Sequence, residues 1–330
     1  EGMKMKLLCV GIVLLGVSYF AGADTFGTGE NQFTIEFVPI SKATNPTSGI
    51  PIGNYFTFTG VANDYRIGVF EITNEQWNKF KSELGVPVTG YPSLAYSDDV
   101  HWTGGSLPAN QVSWYEAVQF VNWLNTSKGF HTAYKFTGTQ GTGEYTFSIW
   151  DASEAWGGTN LYRHKDAFYF LPTEDEWVKA AYWNGMSIQT HATKEGDVLY
   201  QGDGTNGGWN YYNNGYATTH HAPWDVGRGS EELNGTFDMM GNILEWMEGP
   251  LMIDDHESSM YRRLRGGAFS YSLGSLSSSD RRACYPYYTD YNIGFRVASV
   301  PEPASLGLLF MGGVLIRRKL YLEKMHVRGR

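Results

Sequence analysis

Residues 235–246, which read Gly-Thr-Phe-Asp-Met-Met-Gly-Asn-Ile-Leu-Glu-Trp, concentrate side chains that could do chemistry. Asp238 and Glu245 place two carboxylates on either side of Gly241. No helical period runs through the stretch, and the glycine permits a positive φ, so the pattern predicts a tight, irregular loop. A loop that turns its carbonyls inward and adds two carboxylates suits a hard cation. On the residues alone, a turn with two solvated acids is the favoured alternative.

Three helices are predicted to position this loop. Residues 113–116 (Ser-Trp-Tyr-Glu) and 173–176 (Thr-Glu-Asp-Glu) each place a hydroxyl residue three positions before a glutamate, which is typical of a capping box. Thr73 or Asn74 is the predicted cap of the third helix. Apolar residues follow this cap at helical spacing: Trp77, Phe80 and Leu84.

Strands and loops account for the rest of the central region. Residues 65–71 alternate polar and apolar types, and residues 168–171 form a short apolar run, so both predict strands. Residues 129–158 are rich in Gly, Thr and aromatic types and predict a hairpin or a long loop. No internal repeat or Pro- or Ser-rich linker interrupts the sequence. The prediction is one irregular, loop-rich α+β domain over residues 24–299.

Several motifs carry a family resemblance. Asp-Met-x-Gly-Asn-x-x-Glu-Trp at 238–246 resembles the signature of the formylglycine-generating enzyme, or sulfatase-modifying factor, family. Val-Ser-Trp at 112–114, Leu-Pro-Thr-Glu-x-Glu-Trp at 171–177, Arg-Gly-Gly at 265–267 and Gly-Phe-Arg at 294–296 agree with it, in the family's order.

The resemblance covers roughly residues 30–298 and implies the irregular C-type-lectin-like fold of this family. In family members, the positions that match Asp238 and Glu245 give side-chain oxygens to calcium. The positions that match Gly241 and Ile243 give backbone carbonyls. All four residues here are compatible with those roles, so the resemblance predicts a calcium site.

Characterised family members oxidise a sulfatase cysteine to formylglycine, using copper held by two cysteines just after Arg-Gly-Gly. Counted from Arg265, the first cysteine position falls on Tyr271 and the second on or near Leu276. No cysteine lies within residues 270–280. Copper(I) prefers soft thiolate ligands, so we expect neither copper nor this oxidase activity. The predicted role of Cys284, further along the chain, is a buried structural thiol.

The first residues predict export. Two lysines precede an apolar core over residues 7–20, and Ala-Gly-Ala at 21–23 is a cleavage site, so residues 1–23 are a predicted signal peptide. The apolar run is short for the alternative, a transmembrane anchor. We therefore expect the protein in the periplasm, at the cell surface or in the extracellular matrix.

The last residues predict sorting. Residues 300–330 contain Pro-Glu-Pro, an apolar run over 306–316 and a basic cluster at 317–319. This order resembles a PEP-CTERM signal, which an exosortase-type enzyme processes. The apolar run is shorter than the roughly 20 residues of a spanning helix, so we expect only transient membrane contact. The alternative is a hydrophobic C-terminal helix docked on the domain.

Charge and cysteine content restrict the function classes. The net charge is −9, and both predicted signals are basic, so the body between them is still more acidic and is a poor nucleic-acid binder. Loss of Cys9 with the signal peptide would leave Cys284 without a disulfide partner. We expect a calcium-stabilised binding or structural module for an unknown extracellular polymer or protein. The alternatives are a formylglycine-generating oxidoreductase and an accessory factor for an extracellular sulfatase.

Overall fold

The computed structural model describes residues 22–54, 56–84, 101–139, 144–205, 207–250 and 261–301. Within these ranges, no helix is long and apolar enough to cross a membrane. Most of the predicted signal peptide and the sorting signal beyond Pro301 lie outside the described residues. The three predicted segments of the chain, bounded at 23 and 299, therefore stay predictions.

The described residues contain three α-helices: α1 (Asn74–Leu84), α2 (Trp114–Ser127) and α3 (Glu174–Tyr182). The capping boxes predicted for α2 and α3 are both present, with Ser113 and Thr173 as the caps. At α1 the cap is Thr73, because its hydroxyl accepts from Gln76 N and the Gln76 side chain accepts from Thr73 N. Of the three apolar residues at helical spacing, Trp77 and Phe80 are buried, and Leu84, which ends α1, is 39% exposed.

The strands are short. In chain order they are β1 (Gly22–Phe26), β2 (Phe33–Ile40), β3 (Ile50–Ile52), β4 (Phe56–Phe58), β5 (Tyr65–Gly68), β6 (Lys135–Thr137), β7 (Thr146–Ser148), β8 (Ala155–Trp156), β9 (Asn160–His164), β10 (Tyr169–Phe170), β11 (Leu244–Pro250), β12 (Arg262–Arg265), β13 (Arg282–Cys284), β14 (Ile293–Gly294) and β15 (Ala298–Ser299). The predicted strands at 65–71 and 168–171 correspond to β5 and β10, and the predicted hairpin contains β6 and β7.

Two sheets organise the described residues. One is antiparallel with the order β1-β2-β5-β15-β10, so β15 from the end of the domain lies between β5 and β10. The other has the order β13-β12-β11-β14, in which β14 pairs with β11 in parallel. Both sheets therefore depend on the last described strands. The fold is α+β with irregular connections, as predicted.

Aromatic side chains fill the core. Trp77 of α1 stacks on Phe120 of α2, with ring centroids 5.7 Å apart, and meets Phe295 edge to face at 6.0 Å. A second group of buried residues surrounds α3 and includes Trp177 and Met240, the latter from the loop before β11. Burying one such side chain stabilises the fold by about 1.5–3 kcal/mol. The two groups enclose the loop at residues 235–246.

Candidate functional site

Residues 235–243 form the tight, irregular loop that the sequence predicts, whereas residues 244–246 lie on β11. Asp238, Gly241 and Asn242 have φ angles of 60°, 87° and 57°. A Cβ on Gly241 would lie 2.2 Å from the carbonyl oxygen of Asn210, so only glycine fits this close approach. The loop ends where β11 begins, at Leu244.

Glu245 and Arg296 form a fully buried ion pair. Arg296 Nη2 lies 2.6 Å from Glu245 Oε1, and Arg296 Nε donates to Oε2 at 2.7 Å. The indole N–H of Trp177 also donates to Oε2 at 2.7 Å. The same guanidinium donates to three backbone carbonyls. The Glu-Trp and Gly-Phe-Arg motifs therefore meet in one buried network, which sequence reasoning did not predict.

Three further buried carboxylates face this pair. Burial raises the pKa of Asp238, whose oxygens accept from Trp224 Nε1 at 2.9 Å and from a backbone N–H at 2.7 Å. Burial, together with the charges of Asp238 and Glu245, raises the pKa of Glu71. Burial raises the pKa of Glu232 to about 8. Sequence reasoning missed both as members of this site: Glu71 lies far from the loop in the chain, and Glu232, only three residues before Gly235, shows no pattern that predicts its burial.

The predicted calcium ligands fit a cation poorly as they stand. Both oxygens of Glu245 are bound by Arg296 and Trp177, and a guanidinium repels a divalent cation placed beside it. Among the described residues, no group of three or more His, Cys, Asp or Glu side chains could hold a metal ion. Calcium at Asp238, Gly241, Ile243 and Glu245 stays a prediction.

The two family cysteine positions have different surroundings. Tyr271 is half-buried, and its ring centroid lies 4.1 Å from the guanidinium carbon of Arg282. Leu276 is fully buried beside α3 in the core. Cys284 is half-buried on β13, and burial raises the pKa of its thiol. Neither Tyr271 nor Leu276 provides the soft ligand that copper(I) prefers.

A cavity of about 340 Å³ opens beside Tyr271. Polar and aromatic side chains in its lining include Tyr271, Arg282, Cys284, Tyr288, Asp290 and Asn292. Asp290 accepts from the Tyr288 hydroxyl at 3.0 Å, and Arg282 donates to Asp280 at 3.2 Å. Asn292 is 4% exposed, and its Oδ1 has no hydrogen-bond partner in the described part of the chain. A buried acceptor without a donor is rare in folded proteins and calls for an explanation.

An aromatic rim of exposed and buried rings lies near this cavity, and its central ring, Phe269, is 2% exposed. We define the rim as His101, Trp102, Tyr212, Tyr216, Phe269 and Tyr291, whose ring centroids form a series with neighbours no more than 6.4 Å apart. Tyr212 N donates to Tyr271 O at 2.8 Å, which joins the rim to the cavity. The rim combines four separate segments of the chain, so sequence reasoning did not find it.

A larger and more open depression of about 500 Å³ lies near Asp203 and Arg228. Its charged groups are already paired: Arg228 Nη2 lies 2.8 Å from Asp225 Oδ2, and Asp203 accepts from the backbone and hydroxyl of Thr205. The cavity beside Tyr271 is the better candidate site, because its lining includes Asn292, whose buried Oδ1 has no hydrogen-bond partner within the described ranges.

The architecture defines the class of protein: a C-type-lectin-like fold. Treponema denticola variable protein 1 is similar in structure, with a TM-score of 0.58, 20% identity and coverage of 84% of this chain and 99% of that one. CarF is similar with a TM-score of 0.55, 19% identity and coverage of 81% and 98%. At these identities the likeness shows the fold alone.

Residues 57–300 match the sulfatase-modifying factor enzyme 1-like domain, and the chain belongs to that family. Curated relatives include hercynine oxygenase of Mycolicibacterium smegmatis, 24% identical over 251 residues, and that of Mycobacterium tuberculosis, 25% identical over 250. Each match covers 71% of this chain and 52% of the relative. The chain thus spans about half the length of these relatives.

Proposed function

We propose that this protein is an exported binding or structural module that keeps the family scaffold without its copper-dependent cysteine oxidation. The observation that supports this proposal is the identity and packing of Tyr271 and Leu276. One presents a phenol covered by Arg282, and the other is sealed in the core. A two-thiolate copper site has no counterpart at these positions.

Cys284 does not replace the missing pair. Its raised pKa favours the neutral thiol, whereas the thiolate is the form that binds metal. The only other cysteine of the sequence is Cys9, which lies outside the described residues and within the predicted signal peptide. Export with signal cleavage would therefore leave a single thiol.

The binding role is supported by the cavity, which polar and aromatic side chains line, and by the exposed tyrosine rings of the aromatic rim. The partner is an extracellular polymer or protein at the cell envelope or in the matrix. This placement rests on the signal at residues 1–23 and on exosortase-type processing within residues 300–330. The acidic body excludes nucleic acid as the partner.

An oxidase assay tests the proposal. Purified protein is incubated with a sulfatase-motif peptide, copper, oxygen and reductant, and formylglycine is measured by mass spectrometry. We expect no product above a control without protein, for the wild type and for Cys284→Ser alike. Conversion by the wild type that Cys284→Ser abolishes would overturn the proposal and identify Cys284 as the reacting thiol.

An oxygenase is the second candidate, because the matched relatives are hercynine oxygenases. Oxygen uptake with hercynine and a redox-active metal tests this alternative. The peptide assay tests the formylglycine-generating role. Co-purification with a sulfatase tests the role as an accessory factor. If oxygen uptake does not exceed that of the control without protein, the oxygenase role is rejected and the binding role remains the supported one.

Calcium stabilisation is a separate part of the proposal. A calcium ion at the loop would require Glu245 to exchange Arg296 for the metal. A ligand that binds only the native state raises the melting temperature by mass action. A melting temperature that falls with chelator and returns with calcium supports the site, and a temperature that does not respond removes it.

A further inference from the structure

We propose that the stacked rings of His131 and His164 form a pH-sensitive latch, which holds the connection after α2 against the end of β9 and releases it in acid. We call these two rings the histidine stack. The latch is separate from the cavity beside Tyr271 and from the aromatic rim. Neutral rings keep the latch closed, and a proton on His164 opens it.

The histidine stack is close and nearly parallel. The two ring centroids lie 3.6 Å apart, with an angle of 13° between the ring planes. Trp150 meets both rings edge to face, with its centroid 4.5 Å from that of His164 and 5.4 Å from that of His131. The indole N–H of Trp150 and the backbone N–H of His164 each donate to Ala133 O at 2.9 Å. The stack therefore lies beside the backbone contact between the connection after α2 and the end of β9.

The hydrogen bond of His164 Nδ1 requires a neutral ring. Asp166 N donates to Nδ1 at 3.1 Å, so Nδ1 is the acceptor and the proton of the neutral ring lies on Nε2. A second proton on the ring would have to enter at Nδ1, where it would face the Asp166 N–H. Two donors cannot share a hydrogen bond, so protonation of His164 breaks this contact in the turn after β9.

The Asp166 carboxylate offers the protonated ring a different partner. Its Oδ2 lies 3.8 Å from His164 Nδ1, and the side chain is 67% exposed. A rotation of the turn would replace the amide N–H beside Nδ1 by the carboxylate. The turn therefore has one arrangement for the neutral ring and another for the charged ring, which is what a switch requires.

The surroundings of His164 oppose a proton while the latch is closed. His164 is 4% exposed, and burial, followed by the adjacent His131 ring, lowers its pKa. Like charges on two rings 3.6 Å apart repel, so a proton on each ring is strongly disfavoured. Lys165 adds to this repulsion, whereas Asp166 and Glu154 favour the proton.

The direction of the pH effect follows from these contacts. Lys135 lies over the Trp150 ring and 4.0 Å from Glu154 Oε2, so it offsets part of that favourable charge. Because the pKa of His164 is lowered by folding, the open segment binds the proton more tightly than the closed one. The closed latch is fully stable above the ordinary histidine pKa of about 6.5 and loses stability as pH falls below it.

Hydrogen exchange measured by mass spectrometry tests the latch in the full chain. Peptides that contain residues 129–134 and 164–167 are followed at pH 7.5 and pH 5.0, with rates corrected for the chemical effect of pH. We expect protection in both peptides to fall by about tenfold or more at pH 5.0, while β11 keeps its protection. Equal protection of the two peptides at both pH values would overturn the latch.

Two variants assign the effect to the stack. His164→Asn keeps a carbonyl acceptor near the position of Nδ1 but cannot take up a proton, so its exchange should not depend on pH. His131→Phe keeps a flat ring against His164 without a charge, so its release should occur at lower pH than in the wild type. His220→Gln, at an exposed histidine elsewhere, is the control and should behave as the wild type. A pH-dependent loss that persists in His164→Asn, or a release that His131→Phe does not shift, would contradict the assignment.

NMR of the wild type gives a test that does not depend on the folding of a variant. The nitrogen-15 shifts of labelled histidines distinguish the two neutral tautomers. At pH 7.5 we expect His164 to carry its proton on Nε2, because Nδ1 accepts from the Asp166 amide. A proton on Nδ1 at this pH would rule out the latch, since that amide could then not donate to it.

Discussion

At the residue scale, Arg296 is the cation that the buried carboxylates share. It pairs directly with Glu245 and lowers the pKa of Glu71, Asp238 and Glu232, each of which burial raises. Removing one partner of a buried pair leaves an uncompensated charge in a medium that solvates it poorly. The main energetic effect of the ion pair is therefore the cost of breaking it, because the partner that remains would be an unpaired buried charge.

Arg296→Met is expected to lower the free energy of unfolding by about 3–5 kcal/mol, the usual cost of breaking a buried pair. Urea titration followed by tryptophan fluorescence measures this change. Arg228→Met is the matched control, since Arg228 pairs with Asp225 at the surface and such pairs contribute about 0–1 kcal/mol. Equal effects of the two variants would show that Arg296 has no special role.

Glu232 predicts a pH dependence of stability. Its folded pKa of about 8 is raised above the ordinary value of a glutamate, so the folded state binds the proton more tightly than the unfolded state. Its contribution is complete below the unfolded pKa and is lost as pH rises toward 8, at up to about 1.4 kcal/mol per pH unit. Melting from pH 5 to 8 checks this sign.

Glu232→Gln is expected to flatten that slope, because glutamine resembles the protonated acid and does not titrate. Asp203→Asn removes one negative charge at the surface and should leave the slope unchanged. A wild-type slope that persists in Glu232→Gln would assign the pH dependence to Glu71 or Asp238, whose pKa values are also raised.

At the element scale, the capping boxes fix where α2 and α3 begin. The hydroxyls of Ser113 and Thr173 each accept a hydrogen bond from the backbone N–H three residues later. The carboxylates of Glu116 and Glu176 in turn accept from the backbone N–H of Ser113 and Thr173. Glu176 also forms an ion pair with Arg163, with Arg163 Nη2 and Glu176 Oε2 2.8 Å apart. Because Arg163 is fully buried, this pair links the capping box of α3 to the core.

Ser113→Ala and Thr173→Ala should each destabilise the fold by about 1 kcal/mol, the typical value for loss of an N-cap. Chemical denaturation measures both. Ser82→Ala, on the exposed side of α1, is the control and should change stability by less than about 0.5 kcal/mol. If Ser113→Ala and Thr173→Ala lose no more stability than Ser82→Ala, side-chain packing and not the caps determines where α2 and α3 begin.

At the scale of the whole molecule, β1 bears on the predicted export. Asp24 follows the predicted cleavage site and is bound by Arg66 Nη2 at 2.6 Å and by the Tyr169 hydroxyl at 2.8 Å. Cleavage after Ala23 would remove Gly22 and Ala23, whose partners are Phe37 and Glu36, and keep the pairs from Asp24 to Phe26. The fold therefore tolerates a mature chain that begins at Asp24.

Intact mass of the protein from its native culture tests both ends. We expect a species that begins at Asp24 and lacks the residues beyond the Pro-Glu-Pro motif. A form in the extracellular fraction that retains residues 306–330 would contradict sorting. A form that retains residues 1–20 would contradict signal cleavage, and the two outcomes are read from one spectrum.

Local patterns in the sequence determined the helix caps, the strand that begins at Tyr65, the irregular loop and the α+β class, because short-range hydrogen bonds and side-chain periodicity fix them. Motif order determined the family. Only the tertiary structure paired Glu245 with Arg296 and buried Glu71 and Glu232 beside them, and it left Asn292 Oδ1 without a partner among the described residues. The contacts of Arg296 and Glu71 with the loop join residues far apart in the chain, and burial changes the charge and hydrogen bonding of these groups in ways that no local pattern encodes.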